Sequence, residues 1–266
     1  MTRMTWDGFG THAFEAGVDR GVLFTPAGEK SLGVPWPGLI AVSDDTEESS
    51  APFFLDGKKY LDVEMSGDFR GSIRSFGYPD EFEPFAGLGA VGGGLFADDQ
   101  PPKQFHFSYR TKKGNDAAGV NLGYKVHILW NLVATPQAIT HQSIGDTPSL
   151  VEFGWDLAAT PSFMFGFAPT AHLILDSTKL DPTLLTFFEN ALYGTAGTNS
   201  SIPSLQDFVT RAGLGTVTDN GDGTWTIVVP DTQVNMVSGT QFEITTPYAI
   251  DVDPDTQIQY FETTDF

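Results

Sequence analysis

The chain lacks cysteine altogether among its 266 residues. This absence excludes disulfide bonds, thiolate metal sites and cysteine nucleophiles. Basic residues are also scarce, because 14 Lys and Arg stand against 34 Asp and Glu, for a formal net charge of −20. DNA carries one negative charge per roughly 1.7 Å of duplex axis, so a chain this acidic is not expected to grip phosphates through its overall surface.

The shortage of positive charge is most severe in the second half of the chain. Residues 1–125 carry 12 basic and 18 acidic side chains, whereas residues 126–266 carry only Lys179 and Arg211 against 16 acidic ones. A strongly negative wall repels a passing duplex instead of trapping it. The charge therefore argues against a nucleic-acid binder, but it is compatible with a protein past which nucleic acid moves.

Long apolar runs are missing as well. No stretch approaches 18 uncharged apolar residues, and residues 1–10 contain no signal-peptide core. We expect a soluble protein that is made in a cytoplasm and has no membrane partner. What the chain does contain is 29 Gly, 17 Pro and 22 Phe. This composition favours short strands separated by turns, and hence a mainly-β fold.

Catalytic motifs are not evident. There is no GxSxG nucleophile elbow, and residues 87–92 match the dinucleotide pattern GxGxxG without a surrounding βα unit, so we interpret them as a flexible loop. The five histidines show no helical metal-ligand spacing. His106 and His127 could face each other across a pair of strands, and we interpret them as hydrogen-bonded residues. The sequence predicts no catalytic residue, no cofactor and no enzyme activity.

One acidic cluster resembles a calcium loop. Asp251, Asp253, Asp255 and Glu262 fall at template positions 1, 3, 5 and 12. Position 6, where the loop needs glycine, is Thr256, and the following residues alternate like a strand. An acidic turn before the last strand is the favoured interpretation, and the four carboxylates are kept as candidate metal ligands.

The most informative segment is a pair of strands predicted at residues 105–110 and 124–133, joined by a polar loop over residues 111–121. Polar and apolar residues alternate in both arms, which predicts one face against a core and one wet face. Further strands are expected after it, and the polar tract at residues 43–50 is expected to be an exposed loop.

Two helices are predicted from capping patterns. Asp181 followed by Pro182 predicts a helix at about residues 181–193, and Ser204 with Asp207 predicts a second at about residues 205–212. No linker forces a boundary. We therefore expect one domain over residues 1–266, with a helical segment at 181–213 and strands at 214–266 that complete the sheet. A separate small β module is the alternative for that last segment.

Several segments in order resemble the siphophage major tail protein family, whose subunits stack into the tail tube. They are the central hairpin with its Asn115-Asp116 loop, residues 151–161, residues 172–178, residues 192–195 and residues 242–256. The resemblance spans about residues 75–264. It implies an antiparallel β-sandwich or partial barrel whose strands join those of five neighbours into a hexameric ring with a continuous inner barrel.

The resemblance also implies roles for residues and partners. The ring-forming strands would include Phe105, Phe107, Tyr109, Tyr124, Val126, Ile128 and Trp130. Rings would stack through a loop containing Lys112, Lys113, Asn115 and Asp116. Implied partners are further copies of the chain and the tape-measure, tail-terminator and distal tail proteins, in a virion tail whose acidic lumen passes DNA without binding it. The alternative function is an acidic β-sandwich binding module for carbohydrate or Ca²⁺-dependent adhesion.

Overall fold

The computed structural model describes residues 6, 8–26, 32–46, 49–55, 58–65, 69–143, 150–164, 167–211, 216–219, 225–228, 234–238, 241–244, 249–252 and 259–262. The chain divides into two compact units. The first comprises Met1–Ser162 and Thr170–Ile202, and the second comprises Phe163–Pro169 and Pro203–Phe266.

Short strands dominate the described residues, as the composition predicts. The strands are β1 (Ala13–Thr25), β2 (Leu32–Trp36), β3 (Leu39–Thr46), β4 (Ser49–Leu55), β5 (Lys58–Met65), β6 (Phe69–Ser75), β7 (Gly89–Gly92), β8 (Leu95–Ala97), β9 (Phe105–Asn115), β10 (Gly119–Pro136), β11 (Phe153–Ala159), β12 (Ser162–Met164), β13 (Phe167–Thr170), β14 (His172–Asp176), β15 (Thr216–Asp219), β16 (Trp225–Val228), β17 (Val234–Ser238), β18 (Gln241–Ile244), β19 (Ala249–Val252) and β20 (Gln259–Glu262). The helices are α1 (Pro182–Tyr193) and α2 (Leu205–Arg211), with a 3-10 turn at Asp80–Phe82.

One antiparallel sheet organises the first unit. Seven strands run in the order β2-β1-β9-β10-β11-β6-β3, and β14 also pairs with β10. The other described strands form two-stranded pairs, among them β4-β5, β7-β8, β15-β16, β17-β18 and β19-β20. The predicted mainly-β antiparallel fold with a long central hairpin and two short helices is confirmed.

Strand β10 changes partners halfway along its length. It pairs with β14 over residues 125–129 and with β11 over residues 132–136. The change occurs at a bulge where Asn131 has φ 54°, a left-handed conformation that Asn tolerates better than most residues. The Asn131 backbone N–H donates to His106 Nδ1 at 3.1 Å, and its amide donates to Ser162 Oγ at 2.8 Å. These bonds fix the point at which the sheet divides.

Beyond this point the sheet curls around an aromatic core. The Trp36 indole N–H, on β2, donates to the Gly77 carbonyl at 2.8 Å, and its ring centroid lies 5.7 Å from that of Trp155 on β11. Strand β11 is third from the opposite end of the sheet order, so this contact shows that the sheet curls until its two halves approach each other without pairing. The first unit is therefore a partial barrel. Its core contains Leu23, Trp36, Phe69, Ile73, Phe82, Phe85, Phe105, Phe107, Tyr109, Leu129, Leu132, Trp155 and Leu157.

The prediction that one face of the central hairpin is exposed to water is wrong for the half of the hairpin that lies at the core. Phe107 lies opposite Leu129 and Ser108 lies opposite Ile128, so these pairs occupy opposite faces, yet all four residues are fully buried. Helix α1 lies near the second face, because burial and the Glu189 carboxylate of α1 raise the pKa of Tyr124, which shares that face with Ile128. Ser108, Val126 and Ile128 are thus covered within the subunit.

The polar loop predicted at residues 111–121 is also shorter than expected. Strand β9 continues to Asn115 and β10 starts at Gly119, so Lys112 and Lys113 lie in a paired strand and not at the tip. The Asn115 side-chain oxygen Oδ1 accepts from the N–H of Ala117 at 3.1 Å and of Ala118 at 2.6 Å. A side chain that closes the turn in this way lets the strands extend almost to its ends.

Both helices begin as their caps predict. Asp181 Oδ1 accepts from the N–H groups of Thr183 at 2.9 Å and Leu184 at 3.2 Å. In α2, Ser204 and Asp207 exchange hydrogen bonds between side chain and backbone. Such reciprocal bonds satisfy N–H groups that the first helical turn leaves open.

Two other expectations differ from the structure. Residues 43–46 belong to β3 and not to a loop, since Asp44 pairs with Gly71 of β6. Residues 89–92 of the glycine motif form β7 of a hairpin with β8, and not a flexible loop. The described strands after residue 214 pair with one another. That residues 214–266 complete the main sheet stays a prediction.

Candidate functional site

The central hairpin is not an edge of the sheet. Strand β1 flanks β9 along its whole length, and β14 or β11 flanks β10. The proposed ring-forming residues Phe105, Phe107 and Tyr109 are therefore core residues, and Val126, Ile128 and Trp130 are also buried. Tyr124 is half-buried. Sequence reasoning missed this because it could not tell which strands flank the hairpin.

The free edges lie one strand further out. Strand β1 pairs with β2 only from Gly21 onward, so the outer edge of residues 13–19 has no partner strand among the described residues. On the opposite side, β14 pairs with β10 alone in the described part of the chain. We call the resulting four-stranded piece the distal sheet: β1 residues 13–19, β9 residues 110–115, β10 residues 119–129, and β14.

One face of the distal sheet carries a row of polar side chains, which we call the polar ladder. Its members are Glu15, Thr111, Lys113, Lys125 and Asp176. They share a face because Lys113 lies opposite Glu15, Thr111 opposite Lys125, and Lys125 opposite Asp176 in the antiparallel registers. The alternation seen in the sequence is thus real, but it marks this half of the hairpin only.

Ion pairs hold the ladder together. Lys113 Nζ lies 2.7 Å from Asp176 Oδ2 and donates to Thr178 Oγ1 at 2.8 Å, and both ion-pair partners are largely buried. Lys125 forms an ion pair with Glu15. Burial alone would raise the pKa of Asp176, but the hydrogen bonds from Lys113 and Thr178 outweigh it and lower that pKa to about 2.

The opposite face carries a second arrangement of charge. Arg110 donates to both carboxylate oxygens of Asp19, from Nε at 2.7 Å and from a terminal nitrogen at 2.8 Å. This bidentate bond lowers the pKa of Asp19. The Arg110 guanidinium lies 4.9 Å from the ring centroid of Tyr124, which connects the pair to the helix side of the sheet.

The tip of the hairpin is tied to the N-terminal segment. The Asp116 carboxylate accepts from the N–H groups of Gly10 at 3.0 Å and His12 at 3.2 Å, and the Asn115 amide donates to the Gly10 carbonyl at 2.8 Å. Of the four residues predicted to contact a neighbouring ring, three therefore have partners inside the subunit. Lys112 and Asp116 are the exposed members, and Asp116 is held by its bonds to Gly10 and His12.

A histidine cluster occupies the inner end of the ladder face. His127 Nδ1 lies 3.1 Å from His172 Nε2 and 3.9 Å from Asp44 Oδ2. The Tyr109 hydroxyl donates to Asp44 at 2.8 Å, and Thr111 Oγ1 lies 3.1 Å from His127 Nε2. Asp44, His127 and His172 come from β3, β10 and β14. One potential metal-binding atom from each of them lies within 4.8 Å of the other two.

Burial sets the protonation of this cluster. It lowers the pKa of His127 to about 4 and also lowers the pKa of His172, so both imidazoles are neutral at neutral pH. Burial and the nearby Asp44 carboxylate raise the pKa of Tyr109, whose hydroxyl stays protonated and serves as a donor. The cluster thus presents neutral nitrogen atoms beside one carboxylate.

The histidine pairing inferred from the sequence is wrong. His127 lies opposite Tyr109 in the register, while His106 lies on the other face and accepts from the backbone of Asn131. Sequence reasoning placed Asp44 in a loop and did not connect His172 with His127. The sequence signal for this cluster is the alternation within residues 172–176, which puts His172 and Asp176 on the same face of a strand.

The candidate calcium ligands are not brought together in the described part of the chain. Asp251 and Glu262 lie on the paired strands β19 and β20, whereas Asp253 and Asp255 lie outside the described residues. The carboxylates therefore stay a sequence prediction. No helix in the described residues has the length and apolar character that a bilayer crossing requires.

In the described residues, the chain has a mainly-β fold with two unpaired sheet edges on opposite sides of a polar face. No protein-family model matches the chain, and no curated protein matches it. Among solved structures, it is similar to a chain from the sheath-tube complex of an extracellular contractile injection system (PVC, extended state). That match has 13% identity and a TM-score of 0.31, and it covers 59% of this chain and 88% of the other.

Two further matches come from similar assemblies. The PVC sheath/tube terminator gives 9% identity and a TM-score of 0.32 over 65% of this chain and 99% of the other. The tube-terminating cap of the anti-feeding prophage gives 11% identity and a TM-score of 0.33 over 66% and 97%. Two of the three matches thus come from an extracellular contractile injection system and the third from the anti-feeding prophage. A likeness at this level establishes neither the family nor the function.

The Lys113–Asp176 ion pair predicts a loss of stability in acid. The pKa of Asp176 is lower in the folded state than its ordinary value of 3.8, so the stabilisation is present above about pH 4 and is lost as the pH falls toward 2. Asp176→Asn should cost about 2 kcal/mol at pH 6 and almost nothing at pH 2. Denaturant unfolding at both pH values measures this.

The matched control is Asp45→Asn, which removes an exposed carboxylate of β3. It should shift stability little at either pH. If Asp176→Asn lost the same stability at pH 2 as at pH 6, the ion pair would not be the source.

Proposed function

We propose that this chain is a structural subunit of a tail tube, in which copies join edge to edge into hexameric rings and the rings stack. The observation that carries the proposal is the pair of free edges that bound the distal sheet, residues 13–19 of β1 on one side and β14 on the other. Unpaired strand edges invite pairing with another chain, and closure into a ring removes them.

The two edges differ in sequence, so the contact is head-to-tail: the β14 edge of one copy meets the β1 edge of the next. Head-to-tail contacts produce a ring when the rotation between copies closes. Four strands from each of six copies give a barrel of roughly 24 strands, with a backbone diameter of about 37 Å before strand tilt widens it. A barrel of this size leaves an aqueous channel.

The polar ladder is the face suited to line that channel. Helix α1 lies near the other face, where Ser108, Val126 and Ile128 are buried, whereas the ladder offers charged and hydroxyl groups. Its two lysines balance its two carboxylates, so this wall is closer to neutral than the formal charge of −20 suggests. Ion-paired lysines also have little capacity left to hold the phosphates of a passing duplex, which suits transport without binding.

For stacking, we propose contact through the end of the hairpin. Lys112, on β9 three residues before Asn115, is exposed in an acidic protein and can meet a carboxylate of the next ring, while Asn115 and Asp116 shape the tip on which the N-terminal segment lies. Lys113 is engaged with Asp176 and is a support of the sheet in this proposal. The tape-measure, terminator and distal tail proteins would be the partners at the two ends of the tube.

Purified protein should form rings or tubes, and more readily as salt rises. Salt screens the repulsion between acidic subunits, because the Debye length is about 8 Å at physiological ionic strength and shrinks further above it. Negative-stain microscopy and sedimentation across salt and protein concentration measure this. A protein that stayed monomeric at high concentration in every salt would count against the tube.

Ile174→Lys should block ring formation. Ile174 is 47% exposed on the free β14 edge, and an edge lysine is a device by which natural sheets prevent pairing. The variant should remain a folded monomer by circular dichroism and sedimentation. The matched control is Ile139→Lys, at an aliphatic residue that is 41% exposed and lies outside the strands. If both variants assembled equally well, β14 would not be part of the interface.

Lys112→Glu should leave rings intact and prevent their stacking, because a carboxylate replaces the exposed cation at the hairpin end. Microscopy should then show single rings in place of tubes at salt concentrations where the unchanged protein forms tubes. Lys103→Glu, at another exposed lysine, is the control for the change of charge alone. Tubes of normal length in Lys112→Glu would exclude this contact.

A further inference from the structure

We infer that Asp44, His127 and His172 form a binding site for one divalent transition-metal ion, with Zn²⁺ as the natural candidate. Two imidazole nitrogens and one carboxylate oxygen converge on a common point from three strands. The proposed tube does not require a metal site, and this inference does not depend on the proposed tube.

The spacing between the donor atoms suits a shared metal ion. Metal–nitrogen bonds of 2.0–2.1 Å place two ligand nitrogens about 3.3 Å apart in a tetrahedral site and about 3.0 Å apart in an octahedral one. The observed separation of His127 Nδ1 and His172 Nε2 is 3.1 Å. Asp44 Oδ2 lies 3.9 Å from His127 Nδ1, so this partly exposed carboxylate would have to move slightly toward the two histidines to bind the same ion.

The surrounding residues orient the donors in the way that metal sites require. Thr111 Oγ1 lies 3.1 Å from His127 Nε2, so that nitrogen can donate its N–H and leave the Nδ1 lone pair directed at Asp44 and His172. Tyr109 donates to the Asp44 carboxylate, and its ring stacks on His127 at 4.5 Å between centroids. Partners of this kind fix the tautomer and orientation of metal-binding histidines.

The chemistry of the donors narrows the choice of ion. Two imidazoles with one carboxylate suit Zn²⁺, Fe²⁺, Co²⁺ or Ni²⁺ much better than Ca²⁺ or Mg²⁺, which prefer oxygen donors alone. Asp44 has 31% of its side chain exposed while His127 has 7%, so an ion can enter from the Asp44 side. Water can complete the coordination there.

A metal at this point would join strands that are not neighbours. Asp44 lies on β3 at one end of the sheet order, and His127 and His172 lie on β10 and β14. The ion would therefore tie the free-edged β14 to the strand that closes over the core. The result would be a more rigid distal sheet.

The test uses the full-length chain without an affinity tag, stripped with a chelator and titrated with Zn²⁺. We expect one ion per chain by equilibrium dialysis and a melting temperature that rises with Zn²⁺ concentration, because the ion binds the folded state. Co²⁺ should give visible absorption bands of a nitrogen-and-oxygen site.

Matched variants assign the ligands. Asp44→Asn retains the size of the side chain at a partly exposed position, and His172→Ala removes a nitrogen donor. Each should weaken Zn²⁺ binding at least about tenfold, and Thr111→Val should weaken it by a similar factor through the orientation of His127. His141→Ala, at an exposed histidine, should bind as the unchanged protein does.

The inference is overturned if the chain takes up no Zn²⁺, or if Asp44→Asn and His172→Ala both bind it as tightly as the unchanged protein. Should His172→Ala fail to fold, Asp44→Asn and the Co²⁺ spectrum still decide the question. A stabilisation by Ca²⁺ that equals that by Zn²⁺ and is lost in Asp44→Asn would also contradict an imidazole site.

Discussion

The structure depends on the change of partner in the middle of β10. One 18-residue strand belongs to two regions, because it pairs with β11 in the curled sheet around the core and with β14 in the distal sheet. The bulge at Asn131 separates the two, and its hydrogen bonds to His106 and Ser162 hold it in place. Without this division, β14 would compete with β11 for the same edge of β10, and the sheet would have no second free edge.

The polar residues of the distal sheet follow from its position beyond the core. The aromatic core extends only to about Tyr109, and further along the same face the side chains are Thr111 and Lys113. Buried ion pairs contribute less to stability than apolar contacts of the same size, since both charges lose their water. These ion pairs instead connect the hairpin to particular strands. Lys113 of β9 pairs with Asp176 of β14, and Lys125 of β10 pairs with Glu15 of β1. They fix which strands lie beside the hairpin.

Local signals in the sequence predicted the local structure well. The caps at Asp181 and Ser204 gave both helices, and alternation gave the central hairpin, because each depends on residues close in sequence. From polarity alone, we predicted that Lys112, Lys113 and Asp44 lie in loops. They lie in strands, where Lys113 and Asp44 bond with side chains that are distant in the sequence. The meeting of Asp44 with His127 and His172 depends on the curl of the sheet. The spacing of these three residues in the sequence does not indicate that they are close in the folded chain.

The two free edges differ in regularity, and this difference bears on how assembly is controlled. Strand β1 is interrupted between Ala16 and Val18, where Gly17 has φ 71°, whereas β14 is short and regular. A bulge on an edge strand resists pairing with unrelated strands, because an incoming strand must match its register. In the proposed tube, a second copy of this chain would supply that match through β14 and repeat it at every contact. Six such contacts would close only if each turned the chain by about 60°, so the curl of the distal sheet would decide between a ring and an open filament.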